Sequence, residues 1–177
     1  MMERDVRLFY EEVGTPIGPL TILKNSCGVI RVDFGSVIEL TEKHQVWSQR
    51  YYNGQLITED QSSLHGVKQQ LIEYFEGIRD TFTVPCLFYG TEFQKKVWDA
   101  MEKGIPFGTT KTYKQIAEYI GKPKAVRAVG GAINKNPLAI IVPCHRVIGA
   151  GGSLVGYYGG LEKKKQLLIH EKAPVSL

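Results

Sequence analysis

Thr91 and Thr112 each stand three residues ahead of a glutamine, Gln94 and Gln115, and each is followed, after an amphipathic stretch, by a glycine, Gly104 and Gly121. A threonine oxygen that caps the third amide of a helix, while the residue there caps the threonine amide, starts a helix; glycine just beyond the last turn ends one. This punctuation limits the second half of the chain to short helices joined by tight turns. Phe93, Val97, Ala100 and Met101 form the inward side of the first helix, and Ile116, Ala117 and Ile120 that of the second. Pro123 suits a first helical turn and opens a third helix running to about Asn134, so the second and third make a helix-turn-helix candidate.

In the third helix Val126, Val129 and Ile133 make the buried stripe, while Lys124, Arg127, Gly130, Gly131 and Asn134 fall on a different arc. Two interior glycines cost about 1 kcal/mol each relative to alanine. Either another helix packs against them, or a nucleic-acid backbone approaches, and Lys124 and Arg127 favour the second explanation. A last helix, from Gly160 or Leu161 to about Glu171, has Leu161, Leu167 and Leu168 available for packing. Lys163-Lys164-Lys165 in that helix reads as a solvated face.

The first half has another rhythm. Val6, Leu8 and Tyr10, then Leu20 and Ile22, then Val32 and Phe34 alternate with polar residues, and Gly14-Thr-Pro-Ile-Gly18 and Asn25-Ser-Cys-Gly28 separate them as turns. This predicts a small antiparallel sheet. From Gln61 to Arg79, Leu64, Val67, Leu71, Tyr74, Phe75 and Ile78 recur at helical spacing and predict a helix covering one face of it; Thr81 to Pro85 suits one more strand. The expected boundary lies near Gly90, giving an α/β domain over 1–90 and a mostly helical domain over 91–177. The first 90 residues carry 8 Lys/Arg against 12 Asp/Glu and the remainder 14 against 6, so the second half is the basic one and points toward a polyanion.

The chemistry concentrates at Pro143-Cys144-His145-Arg146, directly behind the apolar run Leu138 to Val142. A thiol with a possible base beside it and a guanidinium two residues on is expected to favour thiolate. Asn136, eight residues upstream, and Glu171, 26 residues downstream of His145, can complete a relay in which a carboxylate orients the imidazole. Three cysteines without a C-x-x-C pair form neither a disulfide framework nor a zinc-finger spacing, and Cys27 and Cys86 are taken as structural. There is no apolar stretch of 18 residues, and Met1 to Asp5 is charged with no signal-like segment behind it, so a soluble, cytoplasmic protein is expected. From these residues alone a cysteine hydrolase, a lesion-recognition protein and a helix-turn-helix regulator all stay open.

Ile140-Ile-Val-Pro-Cys-His-Arg-Val147, preceded by Arg127-Ala-Val-Gly-Gly-Ala132 and Asn136-Pro137 and followed by Gly156-Tyr-Tyr-Gly-Gly-Leu161 and Leu167-Leu-Ile-His-Glu171, closely resembles the O6-alkylguanine-DNA alkyltransferases. The likeness runs from about Phe93 to Glu171, with a weaker match at Thr15 to Leu20. It implies a ribonuclease-H-like α/β N-terminal domain and a helical C-terminal domain with a helix-turn-helix that binds the minor groove and flips the damaged base. It implies irreversible transfer of the alkyl group of O6-alkylguanine, with O4-alkylthymine as a second lesion, to Cys144, one event per molecule.

By the same resemblance His145 is the base through a bridging water, Glu171 orients it, Asn136 braces the turn, and Tyr113 donates to guanine N3. Arg127 fills the gap left in the stack, the carbonyls of Cys144 and Val147 accept from the exocyclic amine, and Tyr157, Tyr158 and Ile133 belong to the pocket. Lys124, Arg127, Ala128, Gly130, Gly131 and Asn134 face DNA. Some relatives hold zinc in the N-terminal domain; Cys27 matches one such ligand and the other positions lack Cys or His, so no metal and no cofactor are expected. Tyr158 stands where some relatives carry a small hydroxyl residue that contacts guanine O6, and Ala139 where some carry proline. The expected partner is duplex DNA containing an alkylated guanine, with no membrane association and a monomeric protein.

Overall fold

The computed structural model describes residues 7–174 apart from 61 and 63; Val6, Gln61 and the charged segment from Met1 to Asp5 lie outside the described residues. The chain divides into two compact units, Met1–Tyr89 and Gly90–Leu177.

In the first unit β1 (Leu8–Val13), β2 (Leu20–Asn25) and β3 (Gly28–Phe34) pair antiparallel in sequence, and β4 (Ile57–Glu59) adds to the free edge of β1 in parallel. The sheet is therefore mixed, not antiparallel throughout. Parallel pairing needs a crossover, and the crossover is α1 (Val37–Tyr52), a 16-residue helix absent from the sequence expectations. Its buried positions are Leu40, His44 and Ser48, so two of three inward residues are polar and an apolar periodicity cannot reveal it. The signal that could have found it is the Ser36/Glu39 capping box, complete in the structure.

Asn25 builds the β2–β3 turn by accepting the amides of Cys27 (2.8 Å) and Gly28 (3.1 Å). A Cβ on Gly28 would stand 2.6 Å from the Pro85 carbonyl oxygen, so only glycine fits there. Cys27, expected to be structural, is exposed on this turn. Thr81 to Pro85 is not a strand. Pro85 has no N–H to give, and the pairing with β3 consists of one bridge between Val29 and Cys86, framed by Val29 N–H to Pro85 O and Leu87 N–H to Val29 O.

The helix expected from Gln61 to Arg79 is shorter: a 3-10 turn at Leu64–Gly66 leads into α2 (Val67–Phe75), with Val67, Leu71 and Tyr74 buried and Ile78 exposed. Lys24 on β2 is wholly buried, paired with Glu11 on β1 and with Asp60 (2.6 Å). Asp33 on β3 is likewise buried beneath Arg31, Lys43 and His44.

The second unit runs α3 (Glu92–Gly104), β5 (Lys111–Thr112), α4 (Tyr113–Tyr119), α5 (Val126–Asn134), a 3-10 turn at Cys144–Arg146, β6 (Val147–Ile148) and α6 (Leu161–His170). The capping boxes of Thr91/Gln94 and Thr112/Gln115 are both formed. Gly121 takes the left-handed conformation after α4 (φ 73°), whereas Gly104 is the last residue of α3, whose cap is Ile105. Pro123 lies before α5, in a turn closed by Ala125 N–H to Lys122 O (2.8 Å); Ala125, without a capping side chain, precedes the helix.

Val97, Met101, Ile116, Ala117, Val129, Ala132 and Ile133 form the core, Val126 and Phe93 are half-buried, and the Trp98 indole donates to Ala132 O of α5 (2.8 Å). Leu161, expected to pack, is exposed, whereas Leu167 and Leu168 are buried. Among the described residues no helix is long and apolar enough to cross a membrane.

Candidate active site

The parallel pair β5–β6 sets Lys111 beside Val147 and Thr112 beside Ile148, which brings the start of α4 next to the segment leaving the Cys144 turn. Upstream, the chain from Asn136 to Val142 folds tightly on itself. Buried Ile140 adopts φ 72°, a left-handed conformation costly for a β-branched residue. The Asn136 side chain fastens this turn: its carbonyl oxygen accepts Leu138 N–H (3.0 Å) and its amide donates to Val142 O (2.9 Å) and to Cys144 Sγ (3.0 Å). Ile133 belongs to the helical core, and its carbonyl receives Asn136 N–H.

His145 is fully buried, and its Nε2 lies 2.7 Å from Glu171 Oε1. Arg146 forks onto the same carboxylate, Nε to Oε2 at 2.8 Å and Nη2 to Oε1 at 3.0 Å, and donates through Nη1 to Ile105 O (2.6 Å). Burial would raise the Glu171 carboxyl, but the His145 and Arg146 contacts outweigh it and hold the group well below the usual range. Burial pushes His145 below its ordinary value, against the pull of Glu171. The arrangement is therefore a neutral imidazole beside an ionised carboxylate whose counter-ion is Arg146. Nε2 carries the hydrogen toward Glu171, and Nδ1, with no hydrogen-bond partner among the described residues, keeps a free lone pair.

Cys144 is 6% exposed. Burial pushes its thiol up, opposed by the hydrogen bond from Asn136, by the Tyr157 hydroxyl and by the charge of Lys164. The expectation that Arg146 favours thiolate is thus corrected: its guanidinium is committed to Glu171 and Ile105, and burial outweighs the neighbours. At rest the group is a thiol.

Tyr113 sits at the first position of α4, with its hydroxyl against the carbonyls of Val155 (3.2 Å) and Gly156 (3.3 Å); burial and the nearness of Cys144 raise its pKa. The Val147 carbonyl accepts from Lys164 Nζ at 2.6 Å. Tyr158 is exposed. On α5 Arg127, Ala128, Gly131 and Asn134 are exposed, as is Lys124 ahead of it. A Cβ on Gly130 would rest 3.7 Å from the Tyr113 ring, and one on Gly131 would meet nothing within 4 Å. No neighbouring helix explains Gly131.

Lys164, which a lysine run places in solvent, is instead wholly buried at this site. Its spacing of three and four from Leu167 and Leu168 is the signal that could have placed it inward.

A helix-turn-helix with exposed Lys124 and Arg127 and a buried cysteine with an imidazole–carboxylate pair beside it thus occur in the same unit. The family model described as the ribonuclease-like domain of 6-O-methylguanine DNA methyltransferase matches residues 8–88, and that described as its DNA binding domain matches residues 92–173. The inducible methylated-DNA–protein-cysteine methyltransferase of Bacillus subtilis is 51% identical over 126 residues, 71% of this chain and 70% of that protein. The methylated-DNA–protein-cysteine methyltransferase of Methanosarcina barkeri is 42% identical over 93% of this chain and 98% of its own length. Mycobacterium tuberculosis OGT, solved in complex with DNA, superposes with a TM-score of 0.79 at 40% identity, covering 94% of this chain and 95% of that one. The chain belongs to the 6-O-methylguanine DNA methyltransferase family.

Proposed function

We propose that this chain repairs DNA by moving the alkyl group of O6-alkylguanine onto Cys144, one event per molecule, in the cytoplasm and as a monomer. The observation that carries the reading is the Cys144 thiol fastened by Asn136 in the same unit as the neutral His145, whose Nδ1 lone pair is free and whose Nε2 faces an ionised Glu171. His145 takes the thiol proton through a water. Sulfur then attacks the alkyl carbon in line, forming S–C as C–O6 breaks, and the proton ends on the departing guanine, so the step balances without an outside reagent. Glu171 steadies the imidazolium while it lasts.

The damaged base reaches the thiol by leaving the duplex, for which α5 is the docking element. Lys124, Arg127, Ala128 and Asn134 lie along the backbone, Gly130 and Gly131 permit close approach, and Arg127 fills the vacated stack. Tyr113 donates to the base as negative charge develops on it, and the Cys144 and Val147 carbonyls accept from its amine. Val147 O retains a second lone pair beside its bond to Lys164. Tyr157 and Tyr158 flank the base, and Ile133 backs the pocket. O4-alkylthymine is a second substrate of the same geometry.

Mixing the protein with a duplex containing one O6-methylguanine tests this. Intact-mass analysis should show one added methyl per molecule, mapped to the Cys144 peptide and abolished by Cys144→Ser. Folded protein that gains no methyl, or that clears many lesions per molecule, overturns the reading.

A further inference from the structure

Lys164 is the middle residue of a lysine triplet on α6, yet it is wholly buried, and among the described residues no carboxylate pairs with it. Its Nζ donates to Val147 O (2.6 Å), three residues beyond Cys144, and to Val155 O (3.0 Å) in the glycine-rich segment between β6 and α6. The ammonium also lies 5.9 Å from the centre of the Tyr157 ring, whose hydroxyl lowers the Cys144 thiol. Val155 O is at the same time an acceptor for Tyr113. Lys164 thus ties together β6, the pocket segment and the two tyrosines that flank the sulfur.

A neutral amide could make the same two hydrogen bonds. What an ammonium adds is charge, and a buried charge is retained at considerable expense unless something offsets it. We propose that Lys164 is a positioning residue of the alkyl transfer: it fastens the pocket segment through Val147 and Val155 and is the buried cation against which Cys144 gives up its proton. The inference rests on Cys144 being the alkyl acceptor. It accounts for how a thiol raised by burial still ionises when His145, itself neutral, must take the proton. The titratable and charged groups around Lys164 are Cys144, His145, Tyr113, Tyr157, Arg146 and Glu171. Lys164 and Cys144 act on each other directly, the lysine lowering the thiol and the sulfur raising the lysine, which burial holds down at about 8, while Lys164 and Arg146 both lower His145 and Glu171 raises it.

The test uses the full chain with Lys164→Gln, which keeps hydrogen bonding without charge, and Lys164→Met, which keeps neither. Iodoacetamide modification of the Cys144 peptide is followed against pH, with exposed Cys27 as the internal reference, beside single-turnover methyl transfer from the O6-methylguanine duplex. Both variants should move the Cys144 profile up by about one pH unit and slow transfer at pH 7 about tenfold, with recovery at higher pH. Lys164→Met alone should also speed hydrogen exchange in the segment 149–160. A folded Lys164→Gln protein whose profile superposes on the unsubstituted one reduces Lys164 to a strut and overturns the proposal.

Should neither variant fold, the Lys164 titration is read by carbon NMR in the unsubstituted protein and in Cys144→Ser. Loss of the sulfur should lower the lysine pKa, and an unchanged value overturns the proposal. If iodoacetamide profiles shift as expected while no methyl leaves the duplex, the repair function has failed and the charge pairing stands.

Discussion

The Glu171 carboxylate is shared between His145 and Arg146, and that division decides which of them is charged. With the Arg146 fork in place, imidazole stays neutral and available as a base. Removing the fork by Arg146→Met takes away a charge that lowers His145 while Glu171 still raises it, so the His145 pKa should rise. The acid limb of methyl transfer should move upward, with a several-fold loss at pH 6 and little at pH 8, measured by single-turnover rates across pH. The same variant leaves a buried charge less well paired and should destabilise the protein by roughly 3 kcal/mol in urea titration.

At this scale much of the site was legible: Cys144, His145, Asn136 and Glu171 are neighbours because each is fastened by hydrogen bonds that their residue types can make. The direction of the thiol shift and the inward turn of Lys164 were not. Both depend on burial, which a local pattern of charges does not contain.

Helix α5 carries a glycine at position 131 where an added Cβ would meet nothing within 4 Å. Gly131→Ala should therefore stabilise the isolated protein by about 0.5–1 kcal/mol, because alanine restores helix propensity where there is open space. The same methyl should weaken duplex binding and slow repair on DNA, with a smaller effect on reaction with free O6-methylguanine. A thermal melt paired with fluorescence anisotropy on a labelled duplex reads both. Gly130→Ala differs, since its methyl meets the Tyr113 ring at contact distance.

The capping boxes of α3 and α4 were readable because caps are local chemistry, bonded within three residues of the helix start. Helix α1 escaped because its inward stripe is Leu40, His44 and Ser48, two of them polar groups satisfied by Asp33 and the Gln55 carbonyl. The strand β4 was hidden with it, since a three-residue strand acquires meaning only when its partner β1 is known.

Both units depend on carboxylates held ionised inside. In the first, burial would raise Asp60, but Lys24, Ser62 and the Leu64 amide more than offset it, and His44, Arg31 and Lys43 do the same for Asp33. In the second, Glu171 plays this part. A carboxyl whose folded pKa lies below its unfolded value contributes stability that is complete above about pH 4 and is lost as the pH falls further, because the unfolded chain then binds more protons. Because the unfolded chain also protonates a histidine that the folded chain keeps neutral at His145, stability should begin to fall below about pH 6.5 and decline more steeply below about 4. Peptide-resolved hydrogen exchange should show protection falling in the peptides around Asp33 and Asp60 and in those around Glu171. Uniform protection down to pH 2 would contradict this account.

The chain holds two tryptophans, and the fold has distributed them one to each unit. Trp47 sits in an aromatic cluster with Tyr51, Tyr52 and Tyr89, whereas the Trp98 indole is hydrogen-bonded to the Ala132 carbonyl of α5. The emission colour of Trp98 is thereby coupled to a backbone carbonyl of α5, so a shift of that helix should be readable as a change in tryptophan fluorescence.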